Sequence, residues 1–174
     1  MSVRPKYKAK PVVWNSNTCS VESPETIEQF RVRERFKLPS HIWRFDSQHE
    51  FKVYLELKRM YGEHKISRQV PVLVIAPGFS YPKGKTWKVD FVISSGAEGV
   101  KPFLYVEAKG AFLTEFALIL GILEEYQFDV FRKLKIIFPE RLPVGNKVVK
   151  ALLESDFRKN LLTLKELEKF RVLP

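Results

Sequence analysis

Cysteine is almost missing from this chain: Cys19 is the only one in 174 residues. A lone thiol excludes an internal disulfide framework and a cysteine-built zinc cluster. Histidine is nearly as scarce, and His41, His49 and His64 show no metal-ligand spacing with one another. Long apolar runs are lacking too. The longest, Ala111 to Leu123, is interrupted by Glu115 and is too short to span a bilayer. The opening stretch MSVRPKYKAKPVV has no apolar signal-peptide core, so the expectation is an intracellular, cytoplasmic protein without a membrane partner. No Walker A loop, dinucleotide glycine fingerprint or G-x-S-x-G elbow occurs. A small-molecule cofactor therefore has no motif to hold it, and a serine nucleophile has no elbow.

Acidic residues are the last shortage. Asp and Glu number 20 against 30 Lys and Arg, a net charge of +10. That balance favours a polyanionic partner, most often nucleic acid, with a ribosome or an acidic membrane surface as alternatives. The length and the 45% hydrophobic content suit one domain with a full core.

Residues 1–43 read as a basic N-terminal extension. Ser23-Pro24-Glu25 has the form of a helix start. The stretch from Phe30 to Lys37 alternates, which on a strand puts Arg31, Arg33, Arg35 and Lys37 on one face. That face is either an exposed strand surface or a ribbon contacting phosphates. A helix opens at Asp46-Ser47-Gln48-His49-Glu50 and runs to about Tyr61, where Gly62 ends it. Strands follow at Ile66 to Ala76, Trp87 to Ile93 and Phe103 to Lys109. Joined by short turns, they pair antiparallel. A long apolar helix, about Leu113 to Phe131, leads to the strand Leu134 to Phe138, which after a helical crossover lies parallel to its partner. The helix is a core helix or, alternatively, a buried dimer surface, which leaves a homodimer open. Residues 139–174 read as a helical extension, with Asn146 as a cap and Thr163-Leu164-Lys165-Glu166 as a capping box. The expected fold is α/β (α+β), order α-β-β-β-α-β, with a mixed sheet flanked by helices and additions at both ends. One domain spans 1–174, with its core at about 44–138.

The chemistry concentrates in FLYVEAKG. Glu107 and Lys109 stand two apart in an apolar run, so on a strand they project from the same face. Asp90, in WKVDFVI, is a carboxylate in a second apolar strand, costly there unless paired or metal-bound. On strict alternation Trp87, Val89, Phe91 and Ile93 form one face of that strand and Lys88, Asp90 and Val92 the other. Asp90 and Glu107 are 17 positions apart, and neighbouring strands lie about 4.8 Å apart, so the two carboxylates could share a divalent ion. Oxygen ligands favour magnesium, with manganese able to substitute. The Ala108 carbonyl could add a third oxygen, and Lys109 would assist the attacking water. Glu50 has two readings: N3 of a Ser47-x-x-Glu50 capping box, or an outer ligand reaching the metal directly or through water.

This arrangement resembles the PD-(D/E)XK, or restriction-endonuclease-like, nuclease superfamily, over about Arg44 to Phe138. It is most similar to small phage-type nucleases with an F-x-S-x-x-E helix, a Q-x-P strand, a DF strand and a V-x-x-KG strand. Here these are Phe45 to Glu50, Gln69-Val70-Pro71, Asp90-Phe91 and Val106 to Gly110. The superfamily's proline before the aspartate is replaced by Val89. The resemblance implies Glu50, Asp90, Glu107 and Lys109 as the catalytic set, with Gln69 near the site. It implies a magnesium-dependent DNA endonuclease, phage-encoded or carried by a mobile element. Arg44, Ser47, Gln69, Lys88 and the Arg31, Arg33 and Arg35 run would contact nucleic acid. A junction resolvase, a homing or restriction enzyme and a transposase subunit are the variants within that class. A non-catalytic nucleic-acid-binding accessory protein is the reading outside it.

Overall fold

Ser47 starts the first long helix of the chain. Its Oγ accepts the Glu50 N–H at 3.0 Å, and Glu50 Oε2 accepts the Asp46 N–H at 2.9 Å. Ser47 thus satisfies one of the donors that a helix start leaves without an intrahelical partner, and Glu50 ties down the residue before the cap. The computed structural model describes residues 10–23, 42–95, 102–111 and 114–171. The elements are β1 (Val12–Asn15), β2 (Ser20–Val21), β3 (Ile42–Phe45), α1 (Gln48–Tyr61), β4 (Ile66–Ile75), β5 (Lys85–Ile93) and β6 (Leu104–Ala108). After them come α2 (Thr114–Tyr126), α3 (Phe128–Lys133), β7 (Leu134–Phe138), α4 (Lys147–Leu153), β8 (Leu161–Thr163) and α5 (Leu164–Leu167). Among the described residues no helix is long and apolar enough to cross a membrane.

The chain divides into two compact units, Met1–Phe51 and Lys52–Pro174. The division falls inside α1, not near residue 44, where the sequence reading begins its core. The first unit holds a three-stranded antiparallel sheet in the order β2-β1-β3. Trp14 pairs with Trp43 across it and Val13 with Arg44. The Phe51 ring lies 5.3 Å from Trp14 and 5.1 Å from Phe45, so this sheet has an aromatic core of its own. Sequence reading missed the sheet because its strands are only two to four residues long.

The second unit holds a five-stranded mixed sheet, order β4-β5-β6-β7-β8. β4, β5 and β6 pair antiparallel, and β7 lies parallel to β6, as the helical crossover requires. β8 adds a further parallel strand where the sequence suggested only helix. The apolar helix expected to run unbroken to Phe131 is two helices. Gln127, at φ −135° and ψ 48°, leaves helical geometry between them. α2 buries Phe116, Leu120 and Leu123, a repeat of three to four residues that makes it a core helix. These side chains join Trp87, Val89, Leu134, Ile136 and Phe138 in one core. The two tail caps form: Asn146 Oδ1 accepts from Val148 and Val149 N–H, and Thr163 and Glu166 make the reciprocal capping box.

Strict alternation along β5 fails. It would put Val92 opposite Trp87 and Val89, yet all three share the core with α2. Phe91 stacks instead on Tyr54 of α1, with ring centroids 6.4 Å apart. The pleat therefore breaks between Val89 and Val92, at Asp90. Across the ladder, Arg68 pairs with Phe91 and Val70 with Val89. Between them Gln69 sits at φ +50°, a conformation that non-glycine residues rarely adopt. Both strands of the hairpin are thus irregular at the same level, as bulged strands are beside functional sites.

Candidate active site

The break in the pleat turns Asp90 onto the end of β6. Its Oδ2 accepts the Ala108 N–H at 2.9 Å, and its Oδ1 accepts Gln69 Nε2 at 3.1 Å. Its own N–H donates to Glu107 Oε2 at 3.2 Å instead of entering the ladder. Glu107 is 2% exposed, and its Oε1 is ion-paired with Lys109 Nζ. The Lys109 N–H is fixed by the Ile137 carbonyl at 2.9 Å, and its ammonium lies 4.5 Å from the Phe116 ring centroid. Lys109 is thus held by β7 through its backbone and by Glu107 and α2 through its side chain. A cation over an aromatic face is favourable when partly desolvated.

Four of the residues singled out in the sequence therefore meet: Gln69, Asp90, Glu107 and Lys109. Gln69, read there as a contact to nucleic acid, here orients Asp90. Lys88 is exposed on β5, two positions before Asp90. Arg44 is exposed on β3 in the first unit. Ser47 and Glu50 serve the start of α1, Glu50 with 5% exposure. Arg31, Arg33 and Arg35 lie outside the described residues, as do the alternating stretch around them and the helix start at Pro24. Phe116 was missed as a site residue. Its only signal is its place shortly after Gly110 in an apolar helix, which marks core equally well.

Because Glu50 accepts the Asp46 N–H, Glu50→Ala is expected to destabilise the chain by about 1–2 kcal/mol, read as a lowered Tm. An unchanged Tm would show that the helix start does not depend on this carboxylate.

Burial, and then the charge of Glu107, raise the Asp90 carboxyl from 3.8 to about 7, against the opposing pull of Lys109, the Ala108 N–H and Gln69. The folded chain keeps this proton to a higher pH than the unfolded chain does. The associated stability is complete below about pH 4 and is lost as pH rises through about 7. The metal-free protein is expected to melt several degrees lower at about pH 8 than at about pH 5, and Asp90→Asn to flatten that difference. A wild-type Tm that changes no more steeply across this window than that of Asp90→Asn contradicts the assignment.

A divalent cation fits this pair. Burial, and then the neighbouring Glu107 charge, disfavour the ionised Asp90 carboxyl, and a hard cation bound between the two carboxylates would offset both effects. Among the described residues no group of three or more His, Cys, Asp or Glu side chains is placed to hold a metal. Magnesium commonly takes one or two carboxylates and completes its shell with water, so the pair is a sufficient protein share. Comparison with known proteins gives no match to a family model, to a curated protein or to a solved structure.

Proposed function

We propose that this protein is a metal-dependent DNA endonuclease with a restriction-endonuclease-like core of the PD-(D/E)XK kind. The observation that carries the reading is the convergence of Asp90 on β5, Glu107 on β6 and Lys109 just past the end of β6. The Glu107 carboxylate accepts the Asp90 backbone N–H and is ion-paired with Lys109. The net charge of +10 supports a polyanionic substrate.

Asp90 and Glu107, with the Ala108 carbonyl, would hold magnesium, or manganese in its place, and the bound ion supplies Lewis-acid polarisation and a more acidic water. The chain's own residues do the rest. Gln69 and the Ala108 N–H fix the Asp90 oxygens. Lys109 presents a cation beside Glu107, where it orients the attacking water and offsets the negative charge that develops on the phosphate. Lys88 supplies an exposed cation for backbone phosphates.

The test is incubation with duplex, single-stranded and four-way-junction DNA, each with and without magnesium. Metal-dependent products are expected. Preference for the junction over linear duplex of the same sequence identifies a resolvase, and a single cut in a long heterologous DNA identifies a site-specific enzyme. The second reading is a DNA-binding accessory protein without catalysis, for which the net charge of +10 alone would suffice. It predicts salt-sensitive binding and no product on any of these DNAs.

A further inference from the structure

The β4–β5 hairpin carries a feature that the cleavage reading does not use. From Ile66 to Ser95 the only carboxylate is Asp90, against Arg68, Lys83, Lys85 and Lys88. The three lysines are exposed. The hairpin ends in a built tip. Gly78 N–H donates to the Tyr81 carbonyl at 2.9 Å, and Tyr81 N–H donates to the Gly78 carbonyl at 3.2 Å. Phe79 and Ser80 are thereby the two central residues of a tight turn. Gly84 N–H adds a bond to the Tyr81 carbonyl at 2.8 Å. Gly84 itself is at φ +68°, and a Cβ there would come within 2.6 Å of the Ile75 carbonyl, so the strands close on this glycine. Pro77 and Pro82 flank the turn and restrict its backbone further. At the apex the Phe79 side chain is fully exposed, at 104%, with Tyr81 beside it at 46%.

A single exposed apolar side chain needs no explanation. A phenylalanine on a rigid apex, with tyrosine beside it and lysines behind it, is different. Its ordering cost is already met by the turn, and the charged residues of its own hairpin are cationic apart from Asp90. We infer that Phe79 is a wedge that enters the base stack of duplex DNA held beside the tip by Lys83 and Lys85. Apolar side chains inserted between base steps unstack them and bend the duplex, while the cations hold the phosphates on either side. Asp90 lies five residues from Lys85, roughly 17 Å of strand. The distorted step would therefore sit at least about five base pairs from the scissile phosphate. The inference rests on the nucleic-acid reading above and deepens it: the preferred substrate is DNA that distorts easily.

The test uses the full chain without divalent metal and a set of short duplexes, each with 2-aminopurine at one position. Wild type is expected to raise the emission at a confined set of positions as the base unstacks. Phe79→Ala is expected to abolish that rise and to weaken binding roughly tenfold, with Tm unchanged because the side chain touches solvent only. Phe79→Leu, still an apolar wedge, is expected to keep the rise. Equal unstacking by wild type and Phe79→Ala overturns the inference. So does binding with metal-dependent cleavage but no unstacking, which leaves the nuclease reading intact. Unstacking without cleavage upholds the wedge and overturns the nuclease. Self-association lost in Phe79→Ala, with no unstacking, assigns the tip to a second copy of the chain and overturns the wedge.

Discussion

Lys109→Met is expected to slow metal-dependent cleavage by roughly 10²- to 10⁴-fold while increasing the thermal stabilisation that magnesium confers. The two effects have one cause. Lys109 Nζ is paired with Glu107 Oε1, so the ammonium supplies the site's cation when no metal is present. Methionine keeps an unbranched side chain one atom shorter and removes the ammonium, and with it the cation over the Phe116 ring. The carboxylate pair then gains more from a divalent cation, because no ammonium competes for Glu107. Cleavage is lost because the proton and charge chemistry at the phosphate loses its cation. The metal-free variant melts lower than wild type, since a carboxylate only 2% exposed loses its ion-pair partner. Breaking a buried pair costs about 3–5 kcal/mol, and the cost is smaller here because Lys109 itself is 26% exposed. Single-turnover cleavage and melting with and without magnesium read both effects. Unchanged cleavage would remove Lys109 from the mechanism.

Asp90→Asn is expected to give the opposite pattern. Cleavage falls by roughly 10³-fold or more, and the stabilisation by magnesium falls with it, because one of two carboxylates is gone. The metal-free variant, however, melts higher than wild type at about pH 8, where wild type carries two neighbouring carboxylate charges. The hydrogen bonds can survive. The Asn carbonyl takes the Ala108 N–H, and a flipped Gln69 amide offers its oxygen to the new NH₂ group. Greater metal-free stability together with lost activity separates a site maintained at a cost to stability from a merely structural pair, for which both quantities would move together. A variant that still cleaves at the wild-type rate contradicts the assignment.

The core strands were legible because their apolar runs are continuous and bounded by turn residues. Leu134 to Phe138 was read to the residue. The caps at Asn146 and Thr163 were legible because capping depends on one side chain and the two or three residues after it. The pairing of Glu107 with Lys109 followed from the two-residue period of a strand. The face of Asp90 did not follow from that period. Alternation assumes an unbroken pleat, and here Gln69 at φ +50° and the diversion of the Asp90 N–H interrupt it. No local signal marks a glutamine that takes a left-handed conformation, since the cost is repaid by tertiary contacts. The three-stranded sheet and β8 were missed for a related reason: strands of two to four residues carry too few alternations to register. Gln127 could not be read as a helix break, because glutamine is a good helix former.

The most direct test of the account is the conversion of supercoiled plasmid by wild type and by Asp90→Asn, side by side, with magnesium and with a chelator. The account predicts nicked or linear product from wild type with magnesium alone and none from Asp90→Asn. Plasmid that binds wild type yet stays supercoiled with magnesium and with manganese, or equal cleavage by the two proteins, would contradict it.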